Sequence, residues 1–214
     1  TDYLAKELEG ESLMLMISNG LRVGLLTDHV AVKDVSKTIT RERIEKKINI
    51  IHKTLIQDFG IPKPKIAVLG INPHNGDNGV IGSEDDEILI PTLTNIRNNG
   101  KLVFGPYAAD SFFGSANYKN FDVVIASYHD QGLIPFKTLS FGTGVNYTAG
   151  LSRIRTSPDH GTAYDVAGKN VADHESFRQA VFAAIDIYEA RSMHQEISKN
   201  PLEKNRKKAF SKKS

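Results

Sequence analysis

Three histidines in this 214-residue chain stand in matching places. His29 follows LRVGLLT in the triplet TDH, His74 follows KIAVLG in GINPHNG, and His129 follows FDVVIAS in SYHDQG. Each apolar run reads as a buried strand, so each imidazole lies a few residues past a strand's carboxyl end. In open α/β sheets that edge is where ligands gather, and loops there tolerate side chains that a core rejects. One such histidine alone is an ordinary hydrogen-bonding loop residue. Three together favour a shared metal site, because neutral imidazole suits zinc and other first-row ions. Asp28, Asp77, Asp110 and Asp130 could orient the rings or join the coordination. The spacing is long-range, unlike the local pattern of HExxH or a zinc finger. His52, His174 and His194 fall in helical patterns and read as surface or packing residues.

A second set lies downstream of His129. Lys137, Asn146 and Arg155 could together hold a phosphate or carboxylate. Beyond them, DHGTAYDVAGK (159–169) carries His160. It is not a Walker-type loop, because Ala163 stands where the first glycine belongs and Asn170 where Ser or Thr belongs. No GxGxxG occurs either, since Tyr147 takes the third glycine's place after Gly142 and Gly144. On its own residues the segment is a glycine-rich turn leading into a helix.

The elements that must position these side chains follow from periodicity. Residues 12–18 and 21–27 predict a hairpin closed at Asn19-Gly20 by a type I′ turn, whose two central residues need positive φ. Thr40 caps a helix through Phe59, with Ile44, Ile48, Ile51 and Leu55 on one face, and Gly60 and Pro62 end it. Residues 65–70 and 121–127 are buried strands, 101–104 a short strand and 142–150 an extended segment. Residues 84–98 predict a helix kinked at Pro91 and stopped by Gly100, and Asp110 opens another. Asp173 caps a last helix with Phe177, Val181, Ala184, Ile185 and Tyr188 on its apolar face. Strands alternate with helices after one hairpin, so the expectation is an α/β fold with a mixed central sheet flanked by helices.

Composition narrows the function classes. Hydrophobic residues are 40% and charged residues 24%, ordinary for a globular protein, and the length suits one large domain or two small ones. No run approaches the roughly 20 apolar residues of a membrane span, and the opening TDYLAKELEGE is no signal peptide. The absence of an initiator Met marks the chain as an expected fragment or processed product. Cysteine is absent, which excludes disulfides, thiolate nucleophiles and Cys-ligated metals and fits a cytoplasmic location. Net charge is +2, yet residues 199–214 hold seven basic residues and only Glu203 as an acid, so the body is acidic. That body suggests neither a nucleic-acid nor a membrane partner. Residues 1–195 are expected to form the folded part, and 196–214 a disordered basic tail.

GINPHNGDNG, YHDQGLIPFK, GVNYTAGLSRIRTSPDHGTAYDVAGK and LLTDHVAVKDV together resemble the 4-hydroxythreonine-4-phosphate dehydrogenase family of pyridoxal phosphate biosynthesis. The resemblance runs from about Thr1 to Arg191 and leaves out the family's amino-terminal part. It implies the fold of isocitrate and isopropylmalate dehydrogenases. It implies NAD or NADP held near the adenosine by His160, Gly161, Thr162 and Ala163, and a divalent metal (Zn, Co or Mg) on His29, His74 and His129. It further implies substrate contacts from Thr1, Lys137, Asn146 and Arg155, a supporting shell of Asp110 and Asp130, and a homodimer that shares the site. Lys137 is also the expected proton shuttle. The implied reaction is NAD(P)-dependent oxidative decarboxylation of 4-phosphooxy-threonine to 3-amino-2-oxopropyl phosphate, with the metal acidifying the hydroxyl and stabilising the enolate-like state.

Three alternatives stand beside this reading. The same residues would serve a related dehydrogenase of a phosphorylated sugar acid, such as threonate or erythronate phosphate. His29, His74, His129 and Asp130 could instead form a hydrolytic metal site without a nucleotide. The chain could also be an inactive dimerising fragment.

Overall fold

Asn19 and Gly20 join β1 (Gly10–Ser18) to β2 (Leu21–Leu25) by a two-residue turn, with Ser18 opposite Leu21. Only Gly20 of the pair enters the left-handed region, at φ 77°. Positive φ at the second central residue alone is the pattern of a type II turn, so the expected type I′ turn is corrected. The computed structural model describes residues 10–140, 142–160 and 164–201.

Five further strands complete one sheet: β3 (Lys65–Leu69), β4 (Leu102–Tyr107), β5 (Val123–Ala126), β6 (Val145–Leu151) and β7 (Thr156–Pro158). The strand order is β4-β3-β5-β2-β1-β6-β7. β4, β3, β5 and β2 run parallel, so their carboxyl ends share one edge, whereas β1, β6 and β7 pair antiparallel. The sheet is therefore mixed, as the alternation of elements predicts.

One face is covered by α1 (Arg41–Phe59), α2 (Ile90–Asn98) and the last helix, and the other by α3 (Ala109–Gly114) and α4 (His129–Ser140). α1 behaves as its pattern requires. Thr40 Oγ1 accepts from the Arg43 N–H at 3.2 Å, Gly60 closes the helix at φ 65°, and Ile44, Ile48, Ile51 and Leu55 are wholly buried. Each such side chain contributes roughly 1.5–3 kcal/mol. The expected kink at Pro91 takes a specific form. A π-turn at Asp85–Leu89 leads into α2, because proline offers no N–H to the carbonyl of Glu87. Arg41 Nη2 donates to that carbonyl instead, at 3.3 Å. α4 lies close on the sheet because Gly132 has no side chain; a Cβ there would meet Ala126 and Val23 at 2.9 Å.

The last helix, α5 (Glu175–Ser198), corrects the sequence reading. Phe177, Val181, Ile185 and Tyr188 are exposed, while Ser176, Ala180 and Ile187 are buried. Small residues let this helix lie against β7 and α1, and the bulky stripe turns outward. The N-cap is His174 rather than the expected Asp173, which lies one residue earlier and accepts from the Glu175 N–H through Oδ1 at 2.8 Å. The helix also continues to Ser198, past the expected start of the tail; residues 202–214 lie outside the described residues.

Candidate active site at the carboxyl edge of the parallel strands

β2, β5 and β3 are neighbours, so the loops that carry His29, His129 and His74 leave one edge side by side. Buried polar groups lace the three strand ends together. Thr27 Oγ1 donates to the Ser127 carbonyl at 2.7 Å, and Ser127 Oγ donates to the carbonyls of Leu69 and Gly70 at 3.3 and 3.2 Å. Gln131 Oε1 accepts from the Ser127 N–H at 2.7 Å while its Nε2 donates to the Gly70 carbonyl at 2.8 Å. Thr27 and Ser127 are fully buried, so these bonds are shielded from water and fix the loop origins.

His29 and His129 come together there, with ring centroids 6.4 Å apart. Asp130 Oδ1 lies 2.8 Å from His129 Nδ1. A carboxylate on that nitrogen favours the Nδ1-protonated tautomer and leaves Nε2 with its lone pair for a ligand. His74 is placed differently. It opens a run, residues 74–79, in which every φ lies between 46° and 87°. Asn, Gly and Asp tolerate this left-handed conformation, and histidine does so at a cost of about 1 kcal/mol or more. The loop is held from behind by Asp85, a buried carboxylate that accepts from the N–H groups of Ile71 and Asn72 at 2.8 and 2.9 Å. Glu84 accepts from Asn72 Nδ2, and this bond holds its carboxyl below the usual range. Asp110 follows β4 at the same edge, in the first turn of α3. Among the described residues, no three His, Asp or Glu side chains form a group poised to hold an ion. The His29–His129 pair fits one by its chemistry, two imidazole rings side by side with a carboxylate beside one of them.

The anion-binding candidates share a face of the sheet. Tyr147 packs into the α1 side, so its neighbours Asn146 and Thr148 project to the side of α4. Arg155 Nη1 donates to Thr148 Oγ1 at 2.9 Å. Asn146 Oδ1 is buried and unpaired, as expected of a group that meets a ligand. Lys137 stands two turns along α4 from His129, about 12 Å of rise, and its Nζ is 3.1 Å from Asp159 Oδ1. Lys137, Ser140, Asp159, His160 and Asp173 line a cavity of about 350 Å3. An unpaired buried hydroxyl, a lysine and carboxylate acceptors there fit the polar nucleoside end of a dinucleotide. Gly161, Thr162, Ala163 and Thr1 lie outside the described residues.

Sequence reasoning missed one constellation. On the other side of β6, Tyr147 OH donates to Asp58 Oδ2 at 2.6 Å, and Arg191 Nε and Nη2 reach the two Asp58 oxygens at 2.7 and 3.0 Å. Arg191 also donates to Tyr147 OH and to the carbonyls of Leu151 and Ser152, so all five of its N–H groups are engaged. Burial, then Asp58, pushes the Tyr147 phenol well above its ordinary value. The one available signal was Asp58, a carboxylate on the apolar face of α1 at heptad spacing from Ile51.

Residues 1–184 match the family model described as pyridoxal phosphate biosynthetic protein PdxA. The chain belongs to the PdxA family. It is 50% identical over 206 residues to the 4-hydroxythreonine-4-phosphate dehydrogenase of Bacteroides thetaiotaomicron, a match covering 95% of this chain and 57% of that protein. It is 48% identical over 193 residues to the enzyme of the same name from a Sulfurihydrogenibium species, covering 89% and 59%. Among solved structures, the 4-hydroxythreonine-4-phosphate dehydrogenase of Klebsiella pneumoniae superposes with a TM-score of 0.77 at 38% identity, over 87% of this chain and 57% of that one. A terephthalate 1,2-cis-dihydrodiol dehydrogenase from Burkholderia xenovorans superposes with a TM-score of 0.68 at 30% identity, over 85% and 59%. The fold is therefore that of the isocitrate dehydrogenase-like PdxA enzymes, and the chain spans a little over half the length of these relatives. No helix among the described residues is long and apolar enough to cross a membrane.

Proposed function

We propose that this chain is the metal- and substrate-holding part of a 4-hydroxythreonine-4-phosphate dehydrogenase, acting as a homodimer in pyridoxal phosphate biosynthesis. The observation that carries this reading is the meeting of His29 and His129 at 6.4 Å on the laced strand edge. His29, His74 and His129, in a site shared between the two subunits, would hold a zinc, cobalt or magnesium ion. Such sharing accounts for His74 standing apart in a left-handed, solvent-facing loop. When bound, the ion would supply a Lewis acid and NAD or NADP a two-electron acceptor.

The chain's own residues do the binding and orienting. Arg155, steadied by Thr148, and Lys137, steadied by Asp159, hold the phosphate and carboxylate of the substrate. Asn146 adds a neutral hydrogen bond through its unpaired oxygen. Asp130 keeps His129 in one tautomer. Lys137's distance from His129 and its pairing with Asp159 suit anion holding better than proton transfer at the carbinol carbon. In the overall reaction the carbinol C–H leaves with its electron pair as hydride and the hydroxyl loses a proton. The β-keto acid then breaks its bond to the carboxylate, giving CO2 and an enolate that is protonated to 3-amino-2-oxopropyl phosphate.

The dihydrodiol dehydrogenase neighbour favours a second reading, in which the same site oxidises a different hydroxylated acid. Calorimetric titration with 4-phosphooxy-threonine in the presence of Zn2+ separates the two. Binding that weakens about tenfold in Asn146→Ala and more in Arg155→Ala supports the first reading. Absence of binding, or binding indifferent to both substitutions, overturns it.

A further inference from the structure

Among the described residues, Asn75 Oδ1, Asn146 Oδ1 and Ser140 Oγ are buried with no hydrogen-bond partner. Asn75 adjoins His74, and Asn146 is a proposed substrate contact. Ser140 has no role in anything described so far. It is the last residue of α4, 6% exposed, in the wall of the 350 Å3 cavity with Lys137, Asp159, His160 and Asp173. Helical hydroxyls ordinarily turn back to the carbonyl one turn earlier. Thr138 does so to Ile134 at 2.8 Å, and Thr92 to Ile88 at 2.6 Å. Ser140 does not. Its carbonyl is engaged by Thr143 Oγ1 at 2.6 Å, yet its own hydroxyl makes no bond.

A buried hydroxyl without a partner destabilises the free protein, and such groups call for a reason. The wall around it supplies one. Asp159 already receives Lys137, and Asp173 Oδ1 receives the Glu175 N–H, but each carboxylate keeps further lone pairs. The cavity is thus rich in acceptors; of the two serine hydroxyls in its wall, Ser176 Oγ already donates to the Gly144 carbonyl, and Ser140 Oγ is the unpaired one. The cavity's complement is a ligand bearing hydroxyl donors together with acceptor oxygens or ring nitrogens, as a ribose with its base does.

We propose that Ser140 is a contact residue for the nucleoside end of the dinucleotide, its Oγ rotating into the cavity to hydrogen-bond the ribose or base. This rests on the reading of the His160 segment as the cofactor site. It predicts opposite effects of one substitution on two quantities. In Ser140→Ala, removal of the orphaned hydroxyl raises the melting temperature of the ligand-free chain by about 2–4 °C. The same change weakens NAD+ about fivefold to tenfold in calorimetric titration. A hydroxyl with only an internal structural bond would instead lower the melting temperature, and that result overturns the proposal. If the unsubstituted chain binds NAD+ and Ser140→Ala binds it equally well, the proposal fails while the cofactor reading stands. If the unsubstituted chain binds no NAD+, both fall.

Discussion

The two sides of strand β6 carry polar clusters of opposite character. Behind it, Tyr147, Asp58 and Arg191 satisfy one another completely, with the carboxylate held by three donors. In front, Asn146 keeps an oxygen unpaired, and Ser140, where the preceding helix α4 ends, keeps a hydroxyl unpaired. A closed network holds the last helix against the sheet. An open one costs stability and gains it back when a ligand arrives. The position of a polar group in the sheet thus matters less to its role than whether its hydrogen bonds are already made.

Breaking the closed side has the largest effect. Arg191→Met leaves the Asp58 carboxylate buried without its cation and is expected to cost about 3–5 kcal/mol in urea denaturation. A loss under about 1 kcal/mol would show that the triad is not the clamp of the last helix. Tyr147→Phe is milder, about 1–1.5 kcal/mol, because the ring stays and one bond goes. This pair also sharpens the comparison through pH. The Tyr147 phenol is raised in the folded state by burial and Asp58, so the unfolded chain ionises first. The stability it contributes is intact below about pH 10, the unfolded value, and is lost as pH rises further. The unsubstituted chain should therefore lose stability above pH 10 more steeply than Tyr147→Phe; parallel curves would contradict this. On the open side, Asn146→Ala is expected to leave stability within about 0.5 kcal/mol of the parent, since no hydrogen bond to Oδ1 is lost. A loss of several kcal/mol would make Asn146 a structural residue.

Much of the scaffold was legible in the amino-acid order. Periodicity locates α1 and its buried face, and strand ends place the loops of His29, His74 and His129 on one edge. What escaped was set by long-range contact. Asp58 meets residues 89 and 133 positions away, and no local pattern announces such a pair. The face of α5 was misread because the largest apolar side chains point outward, and alanine and serine make the close approach. The left-handed run at 74–79 was half visible in HNGDNG, whose Asn, Asp and Gly tolerate positive φ, but that the three imidazoles form no ion-holding group within the described residues was not. Lys137's pairing with Asp159 likewise depends on the chain just past β7, 22 residues on, meeting α4.

Titration of the chain with Zn2+ by calorimetry tests the central claim most directly. The account predicts one ion per chain, with affinity falling at least tenfold in His29→Ala, His74→Ala and His129→Ala alike while melting temperatures in metal-free buffer stay close to the parent's. No heat of binding, or binding that survives all three substitutions, would contradict it.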